Sequence, residues 1–333
     1  MARCIRVPAA EGEGVRKRLI EAGLLDLDHR IRAEGGSLCI PVLADSFEGY
    51  RAETADVPEQ PRRETDYKEL ANVPSELKCL LPSSYDVIGD VIVLKLADEL
   101  TPYESQIAEA LLATVKSVRA VFLDTGVQGE LRIRGLKKIS GRGESETVHK
   151  ESGARLMTDP SLVYFNPRLA TERERVASLV ADGEVIIDMF AGVAPFGTVI
   201  CRHANPKAVY SIDLNPECLR FMEENIRMNG IGNMVPMIGD SAELVKGLPK
   251  ADRVIMNLPQ SADEFLVYAL GAAKPGATVH MHKILERGDL RSFEERIVFD
   301  MREAGYGISV ARVSELKTYS PTMSVYVFDI IAS

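Results

Sequence analysis

Asp188-Met-Phe-Ala-Gly-Val-Ala-Pro-Phe-Gly197 follows directly on the apolar run Val185–Ile187, and its reading decides the fold. A short apolar run that ends on an acid, passes through small residues and reaches a proline is a buried strand turning tightly into a helix. Outward from it, apolar runs recur at Val209–Ile212, Val235–Ile238, Val254–Met256 and Thr278–Met281. Helical stretches separate them, the clearest being Pro216 to Asn229. Such alternation predicts an α/β, Rossmann-like domain: a parallel sheet covered by helices. Gly307–Val313 and Ser324–Ile331 are close enough in sequence to pair as a late antiparallel hairpin.

In an open parallel sheet, ligands bind beyond the carboxyl ends of the strands. The first turn, with Asp188, Phe190, Gly192 and Val193, lets a ligand approach the backbone. It lacks the second glycine of G-x-G-x-x-G that a pyrophosphate requires. The second strand ends in Asp213, followed by Leu214; an acid there can accept both hydroxyls of a ribose. Asp240-Ser241 follows the third strand and is placed to meet an adenine edge. Asn257-Leu258-Pro259 ends the fourth. Polar groups at four consecutive strand ends suit a nucleoside without a pyrophosphate better than a dinucleotide. S-adenosylmethionine is such a ligand, and its sulfonium tolerates an acidic pocket.

The rest of the 333 residues is organised around this unit. Residues 156–333 form the expected sheet domain. Residues 66–155 read as a small α+β domain, with a strand at Asp90–Leu96, a helix opening at Thr101-Pro102-Tyr103-Glu104 and running to about Val118, and a strand at Arg119–Leu123. Thr101 is placed to cap that helix and Glu104 to complete a capping box. Residues 1–55 read as another small unit, with a helix at Arg16–Ala22 stopped by Gly23 and a strand at Ser37–Val42. The charged, proline-containing stretch Arg51–Glu69 reads as a linker.

Composition narrows the function classes. No apolar run approaches the ~18 residues that cross a bilayer, and Met1 to Glu11 lacks the apolar stretch of a signal peptide. A cytoplasmic protein without a membrane partner is expected. The five cysteines (Cys4, Cys39, Cys79, Cys201, Cys218) form no C-x-x-C pair, so neither a disulfide framework nor a zinc site is expected. His280 and His282 share one face of a strand. With no acidic or thiol partner nearby in sequence, they read as ordinary strand residues. The net charge of −9 does not invite a polyanion. One segment runs the other way: Glu130 to Arg155 holds seven Lys/Arg against four Glu.

Longer motifs carry a resemblance. Val163-Tyr-Phe-Asn-Pro-Arg-Leu-Ala-Thr-Glu-Arg173, Asp188-Met-Phe-Ala-Gly-Val-Ala-Pro-Phe196, Ile212-Asp-Leu-Asn-Pro216 and Val254-Ile-Met-Asn-Leu-Pro259 together resemble the archaeal and eukaryotic tRNA (guanine-37-N1)-methyltransferases. Gly129-Glu-Leu-Arg132 and Val148-His-Lys-Glu151 resemble the same family, and the likeness spans nearly the whole chain. It implies a class I methyltransferase fold, S-adenosylmethionine as cofactor, tRNA as partner and a monomer. It further implies Glu172 as general base, Arg132 at guanine O6, Asn257 and Pro259 as the floor of the base pocket, Tyr164 as a supporting wall, and Arg173 as a cofactor contact. The first unit would touch the outer corner of tRNA. Arg134, Lys137, Lys138, Arg142 and Lys150 would hold the phosphates of the anticodon loop, contacts that position RNA without reading its sequence.

The chain departs from the family in two places. Ala194 stands where most relatives have glycine, which is tolerable if its φ stays negative, and Asn166 replaces the more usual serine. Other readings are methylation of an exocyclic amine, methylation of a tricyclic guanosine derivative in the same pocket, and a non-catalytic RNA-binding protein. The first typically uses Asn-Pro-Pro-Tyr, whereas Gln260 follows Pro259 here.

Overall fold

The computed structural model describes residues 2–59, 66–129, 131 and 133–333, with the backbone alone for Val127 and Gln128. The chain separates into two compact units, 1–72 and 73–333.

In the first unit, Ala2–Pro8 is flanked by Ser37–Pro41 and Glu53–Ala55 in an antiparallel sheet, with Arg32–Glu34 at the far edge. The helix Gly12–Glu21 lays Val15 and Leu19 onto Ile5, Val7, Ile40 and Val42. It begins one turn before the expected Arg16. Gly23 does end it: its φ is +67°, and Leu24 N–H donates to the Leu19 carbonyl. The expected linker is partly structured, because Glu53–Ala55 is an edge strand and Tyr67–Leu70 a helical turn. Backbone pairing with Ala2–Cys4 outweighs the charge of that stretch. Pro61 lies outside the described residues.

The second unit holds two sheets. In the smaller, Val91–Leu94 and Ala120–Gln128 are parallel, and Asp86–Ile88 and Ile133–Gly141 pair antiparallel at the edges. The helical connection starts earlier than expected. Leu100 is fully buried and draws Asp98–Tyr103 into a 3-10 turn, so Thr101 caps nothing and the α-helix is Glu104–Thr114. Residues on both sides of position 155 share one apolar core: Val91, Val93 and Phe122 pack in the same cluster as Phe165, Ile186 and Phe196.

The larger sheet has seven strands: β1 (Val185–Asp188), β2 (Ala208–Asp213), β3 (Met234–Ile238), β4 (Ala251–Met256), β5 (Ala273–Glu286), β6 (Ile308–Thr318) and β7 (Met323–Ala332). Their order is 3-2-1-4-5-7-6. Strands β1 to β5 are parallel, and β7 runs antiparallel between β5 and β6, which forms the expected hairpin. All four residues of β1 are buried, as in a parallel strand covered on both faces. The helices are α1 (Ala170–Ser178), α2 (Pro195–His203), α3 (Cys218–Asn229), α4 (Ala262–Ala272) and α5 (Leu290–Glu303).

Two positions shape the turn from β1 into α2. Gly192 has φ +57°, and a Cβ there would stand 3.0 Å from the Tyr164 carbonyl. Ala194 corrects the sequence expectation. Its φ is +58° and ψ +46°, left-handed rather than negative, and it is fully buried at the N-terminus of α2. Its carbonyl accepts the Thr198 N–H and its N–H donates to Ala191, so helix and turn together impose the conformation. The methyl group costs about 1–2 kcal/mol there.

Candidate functional site

A pocket opens within the second unit at the carboxyl ends of β1 to β4, where the sheet order reverses. Its walls take residues from each strand end: Phe190 and Gly192 after β1, Asp213 and Leu214 at β2, Asp240 and Ser241 after β3, and Asn257 and Pro259 after β4. Tyr164 and Arg173 line it from the segment before β1, and Leu131 from the smaller sheet's hairpin. Ten of these eleven residues were identified from the sequence, and parallel strands in register bring the eight at the strand ends to one edge.

The acids differ in state. Asp213 accepts hydrogen bonds from Gly192 N at 2.6 Å and Asn215 N at 2.9 Å, which clamps the β1 turn to β2. Burial nevertheless pushes its pKa above the usual carboxylate range. Asp240 caps its own helical turn by accepting from Ala242 N at 2.9 Å. Asp188 lies behind the pocket wall. It is fully buried, neither oxygen has a hydrogen-bond partner of good geometry, and burial, with some repulsion from Asp213, pushes its pKa up to about 8 against a weaker pull from the Phe190 N–H. Val193 is also buried behind the wall, its carbonyl accepting from Asn225 Nδ2 at 2.9 Å.

The floor is held from β5. Ile284 N donates to the Pro259 carbonyl at 2.8 Å, and Lys283 Nζ donates to the Gln260 carbonyl at 2.9 Å and to Asp263 at 2.5 Å. Arg173 is almost completely buried. Glu151 accepts from its Nε and Nη2 at 2.5 Å each, Asn166 O from Nη1 and Nη2 at 3.2 Å, and its guanidinium lies 5.5 Å from the centre of the Phe165 ring. Asn166, the substituted position, accepts from Arg168 N at 3.0 Å and starts the turn into α1.

Glu172 does not line the pocket. It is buried on α1, and both its oxygens accept from Arg175 at 2.7 and 2.8 Å; Arg175 also donates to Asp329 on β7 at 2.8 and 3.0 Å. His282 Nε2 stands 3.9 Å from Glu172 Oε1. Arg132 lies outside the described residues. The two strand histidines were read as ordinary strand residues for want of an acidic partner nearby in sequence. Both are fully buried, and their acidic neighbours, Asp329 for His280 at 2.6 Å and Glu172 for His282, come from distant parts of the chain. Phe265 was also missed. It lines the pocket and meets Phe190 edge-on at 5.1 Å, and only its place on α4, just after the Asn-Leu-Pro loop, signalled it.

The basic run is largely paired. Arg134 binds Asp86 at 3.0 Å and is half-buried, Lys137 binds Glu104 at 2.6 Å, and Lys138 reaches Glu144 at 3.3 Å. Of the five cations expected at phosphates, Arg142 and Lys150 are exposed and without an ion pair among the described residues.

A doubly wound sheet of order 3-2-1-4-5-7-6, with a small-residue turn after β1 and acids at the ends of β2 and after β3, is the fold and site of a Rossmann-like methyltransferase. Residues 147–305 match the TRM5/TYW2 methyltransferase domain, 68–145 the TYW2 N-terminal domain and 4–51 the tRNA methyltransferase 5 N-terminal domain. The chain belongs to the family of archaeal and eukaryotic-type tRNA (guanine(37)-N(1))-methyltransferases. It is 40% identical over 323 residues to the tRNA (guanine(37)-N(1))-methyltransferase Trm5b of Pyrococcus abyssi, covering 96% of each chain. Among solved structures, the complex of aTrm5 with tRNALeu aligns over 99% of this chain and 100% of that one at 29% identity and TM-score 0.71. Methanocaldococcus jannaschii Trm5 in complex with adenosine aligns over 99% of both chains at 29% identity and TM-score 0.68.

Proposed function

We propose that this protein transfers a methyl group from S-adenosylmethionine to N1 of guanine 37 of tRNA, acting in the cytoplasm as a monomer. The observation that carries this reading is the pocket itself. Four strand ends present Gly192, Asp213, Asp240 and Asn257 to one cavity, in a chain that matches its relatives from end to end. No helix among the described residues is long and apolar enough to cross a membrane.

The residues present fit the cofactor. Asp213 offers acceptor capacity for a ribose, Ser241 and Asp240 offer polar groups to a base, and the unpartnered Asp188 oxygens favour a cation nearby. When bound, S-adenosylmethionine supplies an electrophilic methyl group. The protein must then manage the guanine. N1 carries a proton and is a poor nucleophile, so the proton has to leave, and as it leaves negative charge spreads to O6. Glu172 serves as the base and Arg132 as the fixed cation at O6. Asn257, Pro259 and Tyr164 hold the base, which must be splayed out of the anticodon loop to reach them. The first unit serves as the contact to the outer corner of tRNA. The test is nucleoside mass spectrometry of tRNA transcripts incubated with enzyme and cofactor. N1-methylguanosine at position 37 is the expected product. An N2-methylated guanosine, or a product formed only on tRNA already carrying a tricyclic base, would replace this reading with another.

Cofactor affinity is expected to depend on pH through Asp188. In the ligand-free protein its proton is retained up to about pH 8, whereas a cation in the pocket favours the ionised form. Binding below that value expels a proton, so affinity rises with pH by at most tenfold per unit below about 8 and levels off above. The cofactor's own α-amino group titrates in the same range, so the difference between wild type and Asp188→Asn is the measure. Calorimetric affinities with the same pH profile in both proteins would sink the assignment.

A further inference from the structure

Beneath the floor of the pocket lies a buried polar chain that the proposed mechanism does not yet use. His282 sits on β5, one residue beyond the Met281–Met256 pair that leads into Asn257. It is fully buried, with the edge of the Phe196 ring on one side at 6.0 Å between centroids. Its Nδ1 faces the Met256 carbonyl at 3.4 Å. A carbonyl can only accept, so Nδ1 carries the proton and Nε2 presents a bare lone pair. Nε2 has no hydrogen-bond partner, and Glu172 Oε1 lies 3.9 Å from it. A buried acceptor left without a donor carries a desolvation cost, and such groups call for an explanation.

The surroundings keep the imidazole neutral. Glu172 and Arg175 face it from α1 and His280 from its own strand. Asp329 on β7 binds Arg175 and His280, Arg312 on β6 stands 3.6 Å from Asp329, and Arg253 on β4 donates to His280 Nε2 at 2.7 Å. Burial pushes the His282 pKa down to about 4, so the ring does not titrate where the enzyme works. An ionised Glu172 has nothing to offer His282, since both are acceptors, and its oxygens turn to Arg175 instead.

We propose that His282 is a positioning residue for the catalytic base: its Nε2 accepts the hydrogen bond of Glu172 once Glu172 has taken the guanine N1 proton. The inference rests on the reading of Glu172 as base. In the step, the N1–H bond breaks, its electron pair stays on N1, and an O–H bond forms on Glu172. The new neutral carboxyl no longer needs Arg175, which remains paired with Asp329. Its hydroxyl needs an acceptor, and His282 Nε2 is within reach of a small side-chain adjustment. The proton later leaves Glu172 for solvent when product departs.

Single-turnover methyl transfer at saturating tRNA and S-adenosylmethionine, measured for His282→Phe and His282→Gln, tests this. Phenylalanine keeps the ring volume and removes the acceptor. The rate is expected to fall about tenfold, the share of one hydrogen bond, because the protonated base has lost its support. Cofactor affinity stays at the wild-type value. Glutamine, which brings an acceptor oxygen, restores part of the rate. Wild-type rate in His282→Phe, alongside an inactive Glu172→Gln, would overturn the role of His282 and leave the base in place. A slower His282→Phe that glutamine does not restore would make it merely structural. A fully active Glu172→Gln would instead remove the base itself, and the proposal with it.

Discussion

Glutamine at position 172 is expected to slow the methyl-transfer step by about 10²–10⁴ while leaving cofactor affinity unchanged, the loss typical of a positioned base. Glutamine keeps the length of Glu172 and can still accept one of the two hydrogen bonds from Arg175, but it cannot take the N1 proton. The side chain is buried and lies outside the pocket lining, so the substitution does not touch the pocket walls. Its double pairing with Arg175 has a consequence for kinetics: the carboxylate must loosen that pair before it can serve as base. Rates within about threefold of wild type at saturating tRNA and cofactor would mean that Glu172 is a structural acid tying α1 to β7 through Arg175 and Asp329.

Alanine at position 132 is expected to cost about 10²–10³ in the same step, the range for removal of a donor that meets charge developing in the transition state. The resemblance assigns Arg132 to guanine O6. Its neighbour Leu131 lines the pocket. Because the charge on O6 grows only as N1 loses its proton, the loss should appear in the chemical step rather than in tRNA affinity. Lysine at 132 keeps the charge but not the planar fork and should fall between wild type and alanine. A uniform loss of tRNA binding, with the single-turnover rate at saturation unchanged, would make Arg132 a phosphate contact instead.

Most of the fold was legible because its signals are local. A strand in a covered parallel sheet is apolar along much of its length, and β1, β2 and β3 announce themselves that way within one residue of their ends and β4 within three. Where the reading slipped, a tertiary contact outweighed a local preference. Thr101 is a good capping residue, yet it lies inside the 3-10 turn Asp98–Tyr103 around the buried Leu100, and the α-helix begins only at Glu104. Glu53–Ala55 is charged enough for a linker, yet it finds an open sheet edge. The left-handed Ala194 could not be read from alanine's preferences, because the turn and the start of α2 impose it jointly.

The sequence by itself determined the order of strands and helices, the nucleoside-type turn after β1 and the set of polar residues at the strand ends. Each of these follows from residue type and spacing along a short stretch, and parallel register then delivers the ends to one edge. Only the tertiary structure decided what those residues face. Arg175 reaches Asp329 across 154 positions, Arg134 is bound to Asp86 across 48, and Glu172 meets His282 from a helix and a strand on opposite sides of the cofactor turn in sequence. Whether a charged side chain is free, paired or left without a partner depends on groups that packing brings within about 4 Å, where electrostatic interaction in a buried setting becomes strong, and no spacing rule along the chain encodes that proximity.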